Sequence, residues 1–192
     1  MVGGIDEAGR GSWAGPVYAA VVVFSPDALP TDLIGHVRDS KQLSSGQRQN
    51  LAGAIKKASL DWGIGHANNK EIDSLGIVPA TRLAAKRAIM RLIRPPDFLM
   101  LDYLIIEELT MPQVAFVRGD QQVLSSAAAS ILAKTGRDDR MNQMDSLYPA
   151  YSFKTNKGYG TAVHQRALKR AGICPIHRMS FKPVLEIYHA AK

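Results

Sequence analysis

The chain has 192 residues, of which 46% are hydrophobic, and its formal net charge is +7. No apolar run approaches the roughly 18 residues of a membrane helix, and the first residues lack the basic-then-apolar pattern of a signal peptide. A single cysteine, Cys174, excludes an intramolecular disulfide framework, so we expect a cytoplasmic globular protein with one substantial core.

The first predicted elements are two strands and a helix. Residues 2–5 form a short apolar run, and residues 17–24 are rich in β-branched and aromatic side chains, which is typical of a buried strand. Residues 44–57 have the spacing of an amphipathic helix. Ser44 and Gln47 have the spacing of a capping box at its first turn.

Three further strands and a helix follow along the chain. Residues 60–67 are predicted as a third strand. Residues 79–94 have the clearest helical spacing, with one apolar and one basic face, and Pro95–Pro96 would end that helix. The short apolar runs at residues 98–101 and 114–117 are predicted as the fourth and fifth strands.

The remaining predicted elements are helical. Residues 124–134 are rich in Ala and Ser, which suits a helix packed very close to a sheet. After a loop-rich segment, residues 161–171 are again predicted as a helix. This order of elements predicts an α/β fold with a five-stranded mixed sheet flanked by helices.

The positive charge is concentrated towards the C-terminal end. Residues 1–145 contain 16 Lys or Arg and 16 Asp or Glu, whereas residues 146–185 contain seven Lys or Arg and no acid. A segment without acids repels itself unless a polyanion binds it, so nucleic acid is the predicted partner. We therefore distinguish a core, residues 1–145, from a basic segment, residues 146–192, which completes a binding face within one structural unit. Interleaved aromatic residues offer ring faces for a sugar or base: Tyr148, Tyr151, Phe153, Tyr159 and Phe181.

Four carboxylates follow predicted strands and could meet at one edge of the sheet. They are Asp6, Glu7, Asp102 and Asp120. Each has an ordinary alternative, a turn or a helix N-cap. Together they would repel one another unless cations neutralise them, and hard oxygen ligands select Mg²⁺ or Mn²⁺. Two such ions, typically about 3.5–4 Å apart, can activate water and stabilise the leaving oxygen of a phosphodiester.

Several other residues are candidates for contact with substrate. Lys41 could bind a phosphate or be solvated. Arg178 and Ser180 could hold phosphates or brace the Tyr159 loop, residues 157–161, and the sequence leaves both alternatives open. His164 is a poor ligand for hard cations and is expected to pack or form a hydrogen bond near the loop at residues 157–161. For Asp138 a salt bridge is favoured over a supporting role at the site.

Ordered motifs along nearly the whole chain resemble one family. They are G-I-D-E-A-G-R-G followed by A-G-P-V, D-S-K-x-L at 39–43, L-D at 101–102, G-D at 119–120, S-x-A-A-A-S-I-L-A-K at 125–134, R-D at 137–138, K-G-Y-G-T-x-x-H at 157–164 and I-H-R-x-S-F at 176–181. This series resembles ribonuclease HII. Any one motif is a weak signal, but chance agreement of so many in the same order is negligible.

The resemblance implies an RNase H-like core with a C-terminal helical extension. It also implies an endonuclease that cuts the RNA strand of RNA–DNA hybrids and incises at single ribonucleotides in duplex DNA, leaving a 3′-hydroxyl and a 5′-phosphate. Two Mg²⁺ or Mn²⁺ ions would take part. Carried over by position, the metal-binding catalytic carboxylates are Asp6, Glu7, Asp102 and Asp120. The residues that meet the 2′-hydroxyl, its flanking phosphate and the sugar are Gly9, Arg10, Gly11 and Tyr159.

The chain departs from the family pattern at a few positions. Ser12 and Trp13 stand where Pro and a small aliphatic residue are more common, Tyr103 replaces a common Gly, and Gln121–Gln122 replace small or basic residues. Two other functions compete with the ribonuclease HII prediction, a nucleic-acid-binding module without catalysis and ribonuclease HIII. We expect a monomer. A contact with a sliding clamp is possible but unsupported, because residues 184–192 contain no obvious clamp-binding peptide.

Overall fold

The structure is a computed structural model, and it describes residues 1–25, 37, 43–102, 105–116 and 123–190. A five-stranded mixed sheet forms its centre, in the order β3-β2-β1-β4-β5. Strands β1, β2 and β3 are antiparallel neighbours, whereas β4 runs parallel to β1 and to β5. The predicted fold class is confirmed. The strands are β1 (Val2–Ala8), β2 (Val17–Phe24), β3 (Asp61–Ala67), β4 (Phe98–Asp102) and β5 (Gln113–Phe116).

Helices cover both faces of this sheet, and strand β2 supplies side chains to both. Ala19 and Val21 of β2 belong to the core beneath one group of helices, whereas Ala20 and Val22 belong to the core on the opposite face. This alternation follows from the two-residue period of a strand. The first face is covered by α2 (Asn69–Leu75) and α3 (Ile77–Ile89), and the second by α1 (Ser45–Ala58) and α4 (Leu124–Leu147).

The basic segment packs on the far end of α4 and forms a third core. Met141 and Met144 of α4 contact Tyr151, Phe153 and other apolar residues of this segment. Helix α4 is continuous across residues 145 and 146, so the segment is joined to the core by a rigid element. Its own elements are a 3₁₀ turn (Pro149–Tyr151), α5 (Phe153–Asn156), α6 (Ala162–Ala171) and α7 (Lys182–Ala190). Among the described helices, none combines the length and apolarity needed to cross a bilayer.

The predicted start of α1 is correct, whereas the predicted ends of α3 and α4 are wrong. The capping box is present, because the Gln47 N–H donates to Ser44 Oγ and the Ser44 N–H donates to Gln47 Oε1. Helix α3 ends at residue 89 rather than 94, and the Asp61 carboxylate accepts N–H bonds from Ile93 (2.7 Å) and Arg94 (2.8 Å) beyond that end. Helix α4 continues well past the predicted end at residue 134.

Strand β1 is longer than the sequence predicts. Its pairing with β2 continues to Ala8 opposite Tyr18, three residues past the predicted end. Asp6 and Glu7 therefore lie within the strand rather than after it. Their backbones are held on one side by β2, which fixes the position of both carboxylates.

The close approach of α4 to β1 predicts that Gly4→Ala is destabilising. A Cβ at Gly4 would lie 2.2 Å from the backbone nitrogen of Ser126, so strand and helix would have to separate. We expect a loss of about 1–3 kcal/mol or more in the free energy of unfolding, measured by urea denaturation. Gly53→Ala is the matched control, because Gly53 lies in α1 with nothing within 4 Å of its Cβ position. It should gain about 0.5–1 kcal/mol, and equal effects of the two changes would contradict the packing argument.

Candidate active site

Two of the four predicted carboxylates are brought to neighbouring strands at the centre of the sheet. Ile5 of β1 pairs with Leu101 of β4, and the two strands are parallel. Asp6 and Asp102 are the next residues on each strand, so their backbones are adjacent. Asp6 is buried, and its Oδ1 accepts the N–H of Glu7 at 2.7 Å.

The described residues contain only part of the predicted carboxylate set. Asp120 and the side chain of Asp102 lie outside them, as does Lys41. Within the described part of the chain, no three acidic, His or Cys side chains form a group that could hold a metal ion. The described carboxylates nevertheless suit a hard cation, since Asp6 is fixed on a central strand and Glu7 keeps 17% of its side chain exposed. Glu7 Oε1 also accepts a hydrogen bond from Arg10 Nη1 at 3.1 Å.

An open cleft of about 410 Å³ begins at Glu7 and brings distant parts of the chain together. Of the predicted site residues, Glu7, Gly9 and Tyr159 line it. It is also lined by two basic residues that the sequence analysis did not select, Arg48 of α1 and Lys134 of α4. Lys134 ends one of the recognised motifs, which could have revealed it, whereas Arg48 lies in no motif.

Lys134 forms a salt bridge with Asp138. Its Nζ donates to Asp138 Oδ1 at 2.6 Å, one helical turn away along α4. This is the salt bridge that the sequence analysis favoured. The ammonium group lies on the wall of the cleft, with 31% of the Lys134 side chain exposed.

The glycine-rich loop after β1, residues 9–16, has a backbone that demands glycine at its first position. Gly9 has φ +92°, and a Cβ there would lie 1.9 Å from Nε of Arg137. Gly11 is exposed and has nothing within 4 Å of its Cβ position. The loop is therefore tight against the protein at Gly9 and open to solvent at Gly11.

Arg178 lies beneath this loop. Its side chain is fully buried, and all three of its nitrogens donate to loop carbonyls. Nη2 bonds the Gly9 oxygen at 2.8 Å, Nη1 bonds the Arg10 oxygen at 2.8 Å and Nε bonds the Gly15 oxygen at 2.9 Å. Arg178 therefore braces a loop, but it is the glycine-rich loop rather than the Tyr159 loop named in the sequence prediction.

A second buried guanidinium, Arg137 of α4, supports the other end of the loop. Its Nε donates to the Pro16 oxygen at 2.9 Å and its Nη2 to the Ala14 oxygen at 3.2 Å. Its Cζ lies 5.4 Å from the centroid of the Tyr159 ring. Burial lowers the pKa of both guanidinium groups, that of Arg178 to about 9, with the positive charge of Arg137 as the second cause there.

Tyr159 is presented by a second loop that is hydrogen-bonded to the first. The Gly158 oxygen accepts the N–H groups of Trp13 at 2.8 Å and Ala14 at 3.2 Å. The Trp13 ring covers Gly160, where a Cβ would lie 2.2 Å from Trp13 Cε2. Trp13, one of the departures from the family pattern, thus fills the space between the two loops. Residue Tyr159 remains 37% exposed and lines the cleft.

Two buried histidines hold the Tyr159 backbone from behind. The Cys174 N–H donates to His177 Nδ1 at 2.8 Å, which places the proton of His177 on Nε2. His177 Nε2 then donates to His164 Nε2 at 3.0 Å, and His164 Nδ1 donates to the Tyr159 oxygen at 2.9 Å. The predicted hydrogen bond of His164 near this loop is confirmed. Burial lowers the pKa of both histidines, and it lowers that of His177 to about 4 with a further contribution from His164.

Ser180 lies away from the cleft lining and pairs with Asp73 of α2. The Ser180 Oγ donates to Asp73 Oδ1 at 2.7 Å, and its N–H donates to the same oxygen at 2.9 Å. The N–H of Met179 donates to Asp73 Oδ2 at 3.0 Å. Asp73 therefore anchors the turn that follows Arg178.

Comparison with known proteins gives matches over nearly the whole chain. The family model for ribonuclease HII matches residues 3–184. A ribonuclease HII from Clostridioides difficile is 51% identical over 180 residues, which cover 94% of this chain and 69% of that protein.

Solved structures agree with this result. The ribonuclease HII of Archaeoglobus fulgidus, solved in complex with PCNA, superposes with a TM-score of 0.82 at 27% identity, covering 97% of this chain and 96% of that one. Bst-RNase HIII, solved with Mn²⁺, superposes with a TM-score of 0.78 and covers 100% of this chain and 70% of that one. Its identity is 17%, so that likeness bears on the fold alone.

The neutral histidine pair predicts a loss of stability in mild acid. The unfolded chain binds a proton at His177 below its ordinary pKa of 6.5, whereas the folded protein binds it only below about 4. Between these values protonation favours unfolding, so the free energy of unfolding falls as the pH falls, by at most about 3 kcal/mol from this group. Urea denaturation across this range should show a smaller fall in His177→Asn, and an equal fall in both proteins would count against the neutral pair.

Proposed function

The chain belongs to the ribonuclease HII family, the type 2 ribonucleases H, and we propose that it is a metal-dependent endonuclease that also incises at single ribonucleotides in duplex DNA. The family consists of hydrolases that cut the RNA strand of RNA–DNA hybrids. The proposed products are a 3′-hydroxyl and a 5′-phosphate, formed by phosphodiester hydrolysis with two Mg²⁺ or Mn²⁺ ions in the reactive complex.

One observation carries the metal-dependent part of this proposal. The parallel pairing of β1 and β4 makes Asp6 and Asp102 adjacent on the two central strands, and Glu7 follows at the mouth of the cleft. Oxygen ligands of this kind select hard divalent cations.

In the proposed mechanism Asp6, Glu7, Asp102 and Asp120 hold the metal ions. When bound, such ions lower the pKa of water and neutralise the charge that develops on the phosphate. The protein's own contribution is to fix the carboxylates on central strands and to hold the scissile phosphate beside them. Arg10 bonds Glu7 and lies in the glycine-rich loop. In the proposal, its guanidinium group contacts the phosphate next to the ribonucleotide.

The cleft supplies groups that suit a nucleic-acid strand. Arg48 and Lys134 line it as cations, and the exposed ring of Tyr159 offers a surface for a sugar. Gly9 and Gly11 allow the backbone to approach a 2′-hydroxyl, the group that distinguishes RNA from DNA at one nucleotide. Lys41 remains a predicted phosphate contact outside the described residues.

The basic segment extends this surface along the duplex. On α6, which begins directly after the Tyr159 loop, the exposed face carries Arg166, Lys169 and Arg170. No ion pair of the described residues involves these three side chains. They are available to phosphates flanking the cleavage site, which predicts strong salt dependence of binding.

The remaining proposals concern a protein partner, the oligomeric state and the cellular location. The related ribonuclease HII of A. fulgidus forms a complex with PCNA, so a clamp contact is a candidate interaction for this chain. A monomeric state and a cytoplasmic location remain predictions from the sequence.

Cleavage of matched duplexes tests the proposed activity. One DNA duplex carries a single ribonucleotide and the other has the same sequence in DNA alone, each with Mg²⁺, Mn²⁺ or EDTA. We expect cleavage of the first duplex only, with a 3′-hydroxyl and a 5′-phosphate at the break, and only with metal. Binding without cleavage under all metal conditions would instead support the non-catalytic binding module.

Neutralising Asp6 is expected to abolish cleavage. Asp6→Asn removes one charged ligand from the proposed metal site, and a loss of several kcal/mol of transition-state stabilisation corresponds to about 1,000-fold or more in rate. Binding to an RNA–DNA hybrid, measured by fluorescence anisotropy, should persist. Glu108→Gln is the control, because Glu108 is an exposed carboxylate in the loop after β4 and should keep the wild-type rate. Full activity of Asp6→Asn would contradict the assignment of Asp6 as a catalytic metal ligand.

Removing the Tyr159 ring should slow incision at a lone ribonucleotide. Loss of a stacking partner costs about 1–3 kcal/mol, which corresponds to about 5- to 150-fold in kcat/KM. Tyr159→Phe keeps the ring and its contact with Arg137, so it should retain most of the activity. The melting temperature of both variants should stay near that of the wild type, and an unchanged rate in Tyr159→Ala would remove Tyr159 from the site.

A further inference from the structure

Two buried guanidinium groups control the shape of the glycine-rich loop. Five carbonyl oxygens of residues 9–16 accept hydrogen bonds from Arg178 or Arg137, at distances of 2.8–3.2 Å. Arg178 follows the basic helix α6 and Arg137 lies in α4, so each bond spans more than 120 residues of sequence. Loop shape therefore depends on distant parts of the chain as well as on the loop's own glycines.

The electrostatics suggest that this arrangement serves more than stability. Both side chains are fully buried, and neither forms an ion pair with any described carboxylate. A buried charge without a carboxylate partner is costly, and a pair of them is more so. Here backbone carbonyl dipoles supply the compensation, which means that the charges can be accommodated only while the loop carbonyls point inwards.

The inward carbonyls determine where the loop N–H groups point. A trans peptide is planar, so the N–H of residue i+1 lies opposite the carbonyl of residue i, and the described chain has no cis peptide. Arg178 holds the consecutive carbonyls of Gly9 and Arg10 with its two Nη atoms. The N–H groups of residues 10 and 11 are consequently turned to the opposite side, where Gly11 is exposed. Neighbouring N–H groups on one side of a turn form a concavity that binds oxygen anions and hydroxyls.

We propose that Arg178, supported by Arg137, is a positioning residue for sugar recognition: it orients the N–H groups of residues 10 and 11 towards the ribose 2′-hydroxyl and its adjacent phosphate. This inference rests on the proposed function and adds the physical origin of its specificity. Arg137 contributes in a second way. Its side chain occupies the space that a side chain at residue 9 would need, and it also contacts the Tyr159 ring. Arg137 therefore fixes the loop and the ring relative to each other.

Arg178→Lys tests the inference, because a lysine keeps the charge but cannot span two consecutive carbonyls with a planar fork. Binding is measured by fluorescence anisotropy to the single-ribonucleotide duplex and to the all-DNA duplex, with Ca²⁺ in place of Mg²⁺ and under conditions in which neither is cut. The readout is the Kd for the all-DNA duplex divided by the Kd for the single-ribonucleotide duplex. We expect this ratio to fall by about 3- to 10-fold, the equivalent of one or two lost hydrogen bonds, while the Kd for all-DNA duplex is unchanged.

The control variant is Arg94→Lys, the same substitution at an exposed arginine. Arg94 lies beyond α3, where its N–H bonds Asp61 at the end of the sheet opposite Glu7. Its Kd ratio should equal that of the wild type. A folded Arg178→Lys protein with an undiminished ratio would overturn the inference, as would an equal loss of affinity for both duplexes, which is the signature of a merely structural role.

Hydrogen exchange tests the inference with the wild-type protein alone, so the result does not depend on whether a variant folds. Amides of residues 9–12 should be protected by the single-ribonucleotide duplex and not by the all-DNA duplex. Equal protection by both, or by neither, would overturn the inference. Failure of this inference can be told apart from failure of the proposed function. If the wild-type enzyme cuts at the ribonucleotide without this protection, only the role of the loop is refuted. If the wild-type protein neither cuts the single-ribonucleotide duplex nor binds it more tightly than the all-DNA duplex, the proposed function is refuted as well.

Discussion

The burial of two guanidinium groups under residues 9–16 is the interaction on which the rest of the site depends. Arg178 brings the C-terminal segment against the loop, and Arg137 brings α4 against it, so three distant parts of the chain meet at five carbonyl oxygens. Charged donors form the stronger hydrogen bonds, and these lie where water cannot compete. Loss of either side chain would leave several buried carbonyls without a partner, and that penalty holds the loop in one conformation.

The same contacts explain why the basic segment is not a loosely attached tail. Its third core packs on Met141 and Met144 of α4, and the oxygen of Gly158 accepts two N–H groups from the glycine-rich loop. The exposed ring of Tyr159 is therefore held against the loop by backbone bonds on one side and by the His164–His177 pair on the other. The proposed recognition groups, which come from opposite ends of the sequence, are thus fixed relative to the carboxylates on the central strands.

Local patterns in the sequence predicted much of the fold and less of the site. Strand β2 has the predicted bounds, and the capping box at Ser44 forms as expected, because both depend on residues close in sequence. The end of α3 could not be read in this way, since the Asp61 carboxylate that binds the following N–H groups lies about thirty residues earlier. Arg178 was a candidate from the sequence, but its role as a brace depends on its burial. Nothing in the neighbouring sequence indicates that this arginine is buried. Nothing in the sequence marks Arg48 as a site residue, because only the packing of α1 beside the cleft brings it there.

The structure of this protein bound to a duplex with one ribonucleotide, in Ca²⁺ to prevent cleavage, tests the central claim most directly. We expect a metal ion on the Asp6 carboxylate, the 2′-hydroxyl within about 3.2 Å of the backbone nitrogen of residue 10 or 11, and Arg178 still bonded to the Gly9 and Arg10 oxygens. A ribose bound away from this loop, or loop carbonyls released from Arg178 in the complex, would contradict the account.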